Sequence, residues 1–154
     1  MDSMMAFSAV LSALHVIALA LGAPAVFLRG RALKGTLDEA GVSRVLAADN
    51  VWGIAALLWL ATGLIRAFGG FEKGADYYLH NGLFHAKLGL FILILLLEIR
   101  PMVTLIRWRI ARARGATPDT SSARALYLLT HIEMAIVGVM VFIAAFMSRG
   151  FGAR

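Results

Sequence analysis

Four long apolar runs alternate with short polar stretches, covering approximately residues 5–28, 51–68, 79–97 and 125–147. The third reaches residue 108 if its helix passes Pro101, a residue that removes an internal donor and is expected to kink or end it. At about 1.5 Å rise per residue, each run can cross a hydrocarbon core about 30 Å thick, the second only barely. The first run lacks a basic leader and carries Asp2, and Pro24 follows the only small-residue stretch resembling a cleavage site. It is therefore expected to be a retained span rather than a signal peptide. The pattern predicts an all-α integral membrane four-helix bundle, up-down-up-down, with residues 1–154 forming a single transmembrane domain.

The connections add detail. Leu33, Leu37, Val42, Val45 and Leu46 recur among polar residues between Arg29 and Ala48, which predicts a short amphipathic helix on the membrane surface. Asp49 or Asn50 would then cap the second span. Gly69–Tyr78 reads as a turn-rich loop containing Glu72 and ending in two tyrosines at headgroup level, and Gly115–Ser122 as the least constrained segment. Trp52, Trp59 and Trp108 suit the aromatic belt or helix packing. Two stripes of small or polar residues suggest packing seams. One holds Ser8, Ser12, His15 and Gly22; the other holds Tyr127, His131, Ala135, Gly138, Phe142 and Ala145.

Composition fixes the class. Of 154 residues, 60% are hydrophobic and 16% charged, far too apolar for a soluble domain of this size. The formal charge of +6 invites a nucleic-acid reading, but its distribution is topological. Arg29, Arg31, Lys34 and Arg44 follow the first run, and Arg100, Arg107, Arg109, Arg112, Arg114 and Arg124 lie between the third and fourth. The opposite side has only Arg66, Lys73, Arg149 and Arg154. The positive-inside rule then puts both termini outside, as in a multi-pass protein of the bacterial inner membrane. With no cysteine, thiol catalysis, thiolate metal sites and disulfides are excluded. No Gly-rich nucleotide loop, paired-carboxylate signature or HExxH motif occurs.

Ionisable residues inside the runs carry the functional signal, because each costs roughly 2.5–3.5 kcal/mol for a charge at a helix centre. His15 falls roughly 15 Å deep, and His85 and Lys87 roughly 9 and 12 Å deep. His131 lies roughly 24 Å from the outer surface. His15, His85 and Lys87 could share a layer, yet His85 and Lys87, about 200° apart on a helix, cannot address one partner. Glu133 sits well inside the fourth run and calls for a cationic partner or a proton, whereas Glu98, beside Arg100, suits an interfacial ion pair. The residues alone leave three readings open. Histidines on separate helices can ligate a haem, with a lysine pairing a propionate or carrying a proton. They can equally be polar packing glue, or part of an ion or proton path.

Over nearly its whole length the chain resembles an uncharacterised bacterial family of small four-span membrane proteins. The matching stretches are Leu14-His15-Val16-Ile17-Ala18-Leu19-Ala20-Leu21, Ala48-Asp49-Asn50-Val51-Trp52-Gly53-Ile54 and Phe84-His85-Ala86-Lys87-Leu88. Leu14-His15 and His85-Ala86-Lys87-Leu88 are also similar to the HemJ-type membrane protoporphyrinogen oxidases and, more distantly, to copper-resistance D membrane domains. That similarity implies haem b on His15, with Lys87 as the second functional residue. The expectation is a haem b-binding membrane protein in electron transfer, possessing a quinone or redox-protein partner. His15 would be the axial ligand, His85 or Lys87 would complete or tune the site, and His131 would serve a second cofactor position or packing. The alternatives are an accessory subunit of a larger membrane complex and a proton-coupled transporter using Lys87, Glu133 and His131.

Overall fold

A computed structural model describes residues 2–70 and 73–152; Glu72 and Arg154 lie outside the described residues. The chain forms α1 (Asp2–Lys34), α2 (Glu39–Phe68), the short α3 (Gly74–Leu79), α4 (Gly82–Ala113) and α5 (Ala123–Ser148). All four long helices have the length and apolarity of membrane spans. At 33 residues α1 is about 50 Å long, so it overshoots the hydrocarbon core.

The helices extend well beyond the apolar runs. No separate amphipathic helix lies between α1 and α2: α1 runs on to Lys34, and residues from Glu39 onward already belong to α2. The actual cap is Asp38, whose side chain accepts from the Gly41 amide at 2.7 Å. Only glycine fits at position 41, since a Cβ there would collide with the Thr36 carbonyl oxygen. Asp49 and Asn50 therefore lie inside α2 and cap nothing. Leu33, Val42, Val45 and Leu46 bury against Leu105, Trp108 and Leu126, which explains why the segment joins the bundle instead of the bilayer surface. Pro24 and Pro101 both lie within continuous helices. Membrane helices tolerate the lost amide because neighbouring helices re-satisfy the backbone. Segment 115–122 is tied down: the Trp108 indole donates to the Asp119 carbonyl at 2.8 Å, and the Ser121 amide to the Asp119 carboxylate at 2.9 Å. That second bond holds the Asp119 carboxyl below the usual aspartate range.

Every span passes through the same layers. Apolar residues of one cluster include Ala18 and Val26 of α1, Trp52 and Trp59 of α2, Ile94 of α4, and Val137 and Met140 of α5. The second cluster contains Leu33, Val42, Leu105 and Leu126. Chain order through these layers reverses from α1 to α2, from α2 to α4 and from α4 to α5, so the bundle is up-down-up-down and residues 2 and 152 lie at one end. That end is termed here the terminal side, and the opposite, arginine-rich end the basic side.

α1 packs on α2 and α5, and α4 on α5. α2 and α4 meet through long side chains such as Trp59–Phe91 and Phe68–Phe84. The stripe expected on α5 is not its packing face. Thr130, Glu133, Val137 and Met140 are buried, whereas Ala135 and Phe142 are exposed. Glu133 sets that rotation, because an acid within a span must face protein rather than lipid.

Candidate functional site

The gap between α2 and α4 opens into a cavity of about 360 Å³ on the terminal side, within the usual range for small-molecule sites of about 300–1,000 Å³. His15, Trp59, Lys87, Phe91 and Met140 contribute to its wall, and Arg66, Lys73 and Tyr77 also line it. α3 closes over this end. The Lys73 ammonium lies 4.5 Å from the Tyr77 ring centre, and the Tyr77 hydroxyl donates to the Met147 carbonyl at the end of α5 at 3.0 Å.

His15 is oriented by α2. Its Nδ1 lies 2.8 Å from the Thr62 hydroxyl oxygen, and its ring is tilted against Trp59 at 5.8 Å between centroids. Thr62 has one hydroxyl proton, directed at the Leu58 carbonyl 2.7 Å away in its own helix. The threonine must therefore accept from the imidazole, so Nδ1 carries the proton and Nε2 is the basic nitrogen of the neutral ring. Gly63 makes room for this arrangement: a Cβ there would sit 3.3 Å from the ring carbon Cε1.

The four nominated residues separate. His15 and Lys87 line one cavity. His85 does not; it is exposed, and its Nδ1 is 3.0 Å from the Asn81 carbonyl in its own helix. The angular argument from the sequence anticipated that split. His131 lies toward the basic side, its ring tilted against Tyr127 at 4.1 Å between centroids and beside Gly30, with Nδ1 2.8 Å from the Tyr127 carbonyl. It too is absent from the cavity wall.

A second constellation was invisible as a unit in the sequence. Arg29, assigned above to a basic loop, is fully buried within α1. Its Nη1 donates to Asp49 at 2.9 Å and to Glu98 at 2.5 Å, and its Nη2 to Glu98 at 3.0 Å and Glu133 at 2.6 Å. Arg109 of α4 reaches the other Asp49 oxygen at 2.7 Å and Asn50 at 2.8 Å. Glu133 thus has the cationic partner it called for, while Glu98 pairs inward across the bundle. An available signal was that α2, α4 and α5 each carry one acid at the depth of Arg29. The apolar layer of Val26, Trp52, Ile94 and Val137 separates this cluster from the His15 cavity.

The helices and cavity define a multi-pass membrane protein with a histidine- and lysine-lined pocket at one end. A family model described as "Predicted membrane protein (DUF2214)" matches residues 7–152, and the chain belongs to that family. No curated protein and no solved structure matches it.

Proposed function

We propose that this is a haem b-binding protein of the bacterial inner membrane, termini outside, that transfers electrons to or from a quinone or a redox protein. The observation that carries this reading is the fixed tautomer of His15 in the cavity wall. A metal-ligating imidazole characteristically donates its other N–H to a second group that sets its orientation and basicity, as His15 does to Thr62. The remaining donor set suits the same ligand. Lys87, Arg66 and Lys73 offer positive charge to propionates, while Trp59 and Phe91 offer aromatic walls to a macrocycle. Haem would supply the one-electron chemistry; the chain's part is to ligate, orient and exclude water. Lys87 is the residue positioned to hold a propionate or a proton.

Haem titration of four purified proteins tests the assignment: the wild type, His15→Ala, Lys87→Ala and His131→Ala. The expected result is loss of the haem spectrum in His15→Ala, weakening in Lys87→Ala and no change in His131→Ala. Bleaching by His131→Ala with His15→Ala unaffected would put the ligand in the wrong layer.

A further inference from the structure

The Arg29 cluster has no role in the cavity, yet it concentrates charge inside the bundle. Arg29 and Glu133 are fully buried, and the Asp49 and Glu98 side chains are 13% and 20% exposed. If every member were ionised, three carboxylates would face two guanidinium groups, leaving one uncompensated negative charge at membrane depth. Desolvation makes such a charge expensive.

The geometry shows where one proton would remove that imbalance. Glu98 and Glu133 each direct Oε2 at the same nitrogen, Arg29 Nη2, at 3.0 and 2.6 Å. The two acids therefore converge on one guanidinium nitrogen, with their Oε2 atoms closer together than the sum of those distances. With three carboxylates against two guanidinium groups in a buried cluster, two acids converging on one nitrogen are where a shared proton would balance the charge. A second, independent observation concerns unpartnered atoms. Glu133 Oε1, Thr130 Oγ1 and Arg29 Nε are buried without a hydrogen-bond partner. Thr130 precedes Glu133 by one helical turn, and both bury toward α1; a Cβ on Gly30, next to Arg29, would lie 3.2 Å from the Thr130 methyl. A polar pocket of this composition suits one bound water, which needs two to four such partners and can pass a proton onward.

We propose that Glu98 and Glu133 share one exchangeable proton, making the Arg29 cluster a proton-binding site open to the basic side and closed toward the cavity. The groups facing the acid pair are Arg29 from α1, Asp49 from α2 and Arg109 from α4, the last reaching it through Asp49. His131, two residues from Glu133, turns to Tyr127 and Gly30, and Arg100 is exposed. The partly exposed Glu98 and Asp49 are the entry for the proton. The apolar layer around Trp52, Ile94 and Val137 blocks onward passage. None of this depends on what the cavity holds.

Infrared spectroscopy of the full chain in lipid nanodiscs, with carbon-13-labelled glutamate, tests the proposal. At neutral pH the wild type should show one protonated glutamate carbonyl band that shifts on transfer to D2O. Glu133→Gln or Glu98→Gln alone should abolish it, because either leaves two carboxylates against two guanidinium groups. Absence of the band in the wild type would overturn the proposal without reference to any variant. A band that fails to shift in D2O would refute exchange, and one that survives either substitution would refute sharing.

Discussion

Replacing Arg29 with leucine removes the only cation among the described residues that contacts Asp49, Glu98 and Glu133 together, and takes from Glu133 its guanidinium donor. The Arg29 and Glu133 side chains are both 0% exposed, so solvent cannot take over the lost bonds. Breaking a buried pair by deleting one partner costs about 3–5 kcal/mol. The penalty for an uncompensated charge at a helix centre, about 2.5–3.5 kcal/mol, gives the same scale independently. The four hydrogen bonds do not add beyond this, because bonds within one network are coupled. Equilibrium unfolding in mixed micelles, followed by circular dichroism, should show Arg29→Leu destabilised by about 3 kcal/mol or more. Adding Glu98→Gln and Glu133→Gln together should recover part of that loss, since only the balanced Asp49–Arg109 pair then remains. A change in Arg29→Leu below about 1 kcal/mol, the value of an exposed pair, would refute a buried ionic centre.

Thr62→Val should leave the fold intact and weaken haem binding by about 10–100-fold, measured by haem titration; unchanged affinity would sever Thr62 from ligand orientation. Gly41→Ala should lower the thermal midpoint, since the new methyl meets the Thr36 carbonyl backbone; a fully tolerated alanine would contradict that turn. The Asp119 carboxyl titrates below its ordinary value of 3.8 because the Ser121 amide donates to it. Its contribution is complete above the unfolded value and is lost as pH falls through the lower folded one, so Ser121 amide protection should decline only in strong acid.

The sequence revealed the spans and their alternation, and it put His15, His85 and Lys87 in one layer, of which His15 and Lys87 line the cavity and His85 does not. Periodicity and depth suffice for these, because lipid imposes long apolar helices and penalises ionisable residues. It did not reveal that Arg29 is interior. Counting apolar residues ended the first span at Leu28, whereas α1 continues to Lys34 and places the arginine opposite three acids on three other helices. That pairing is a tertiary fact with partners 20, 69 and 104 residues away in the chain. The capping role expected of Asp49 failed for the same reason: an aspartate at the edge of an apolar run looks like a helix start unless its arginines are known. Thr62 was equally hidden, since a lone threonine in a span gains meaning only from the histidine it faces.

The visible absorption spectrum of the detergent-solubilised chain, recorded after haem addition, tests the central claim most directly. A Soret band with one haem per chain that disappears in His15→Ala is the predicted result. A wild-type protein that stays colourless with haem in excess would contradict the account of the cavity.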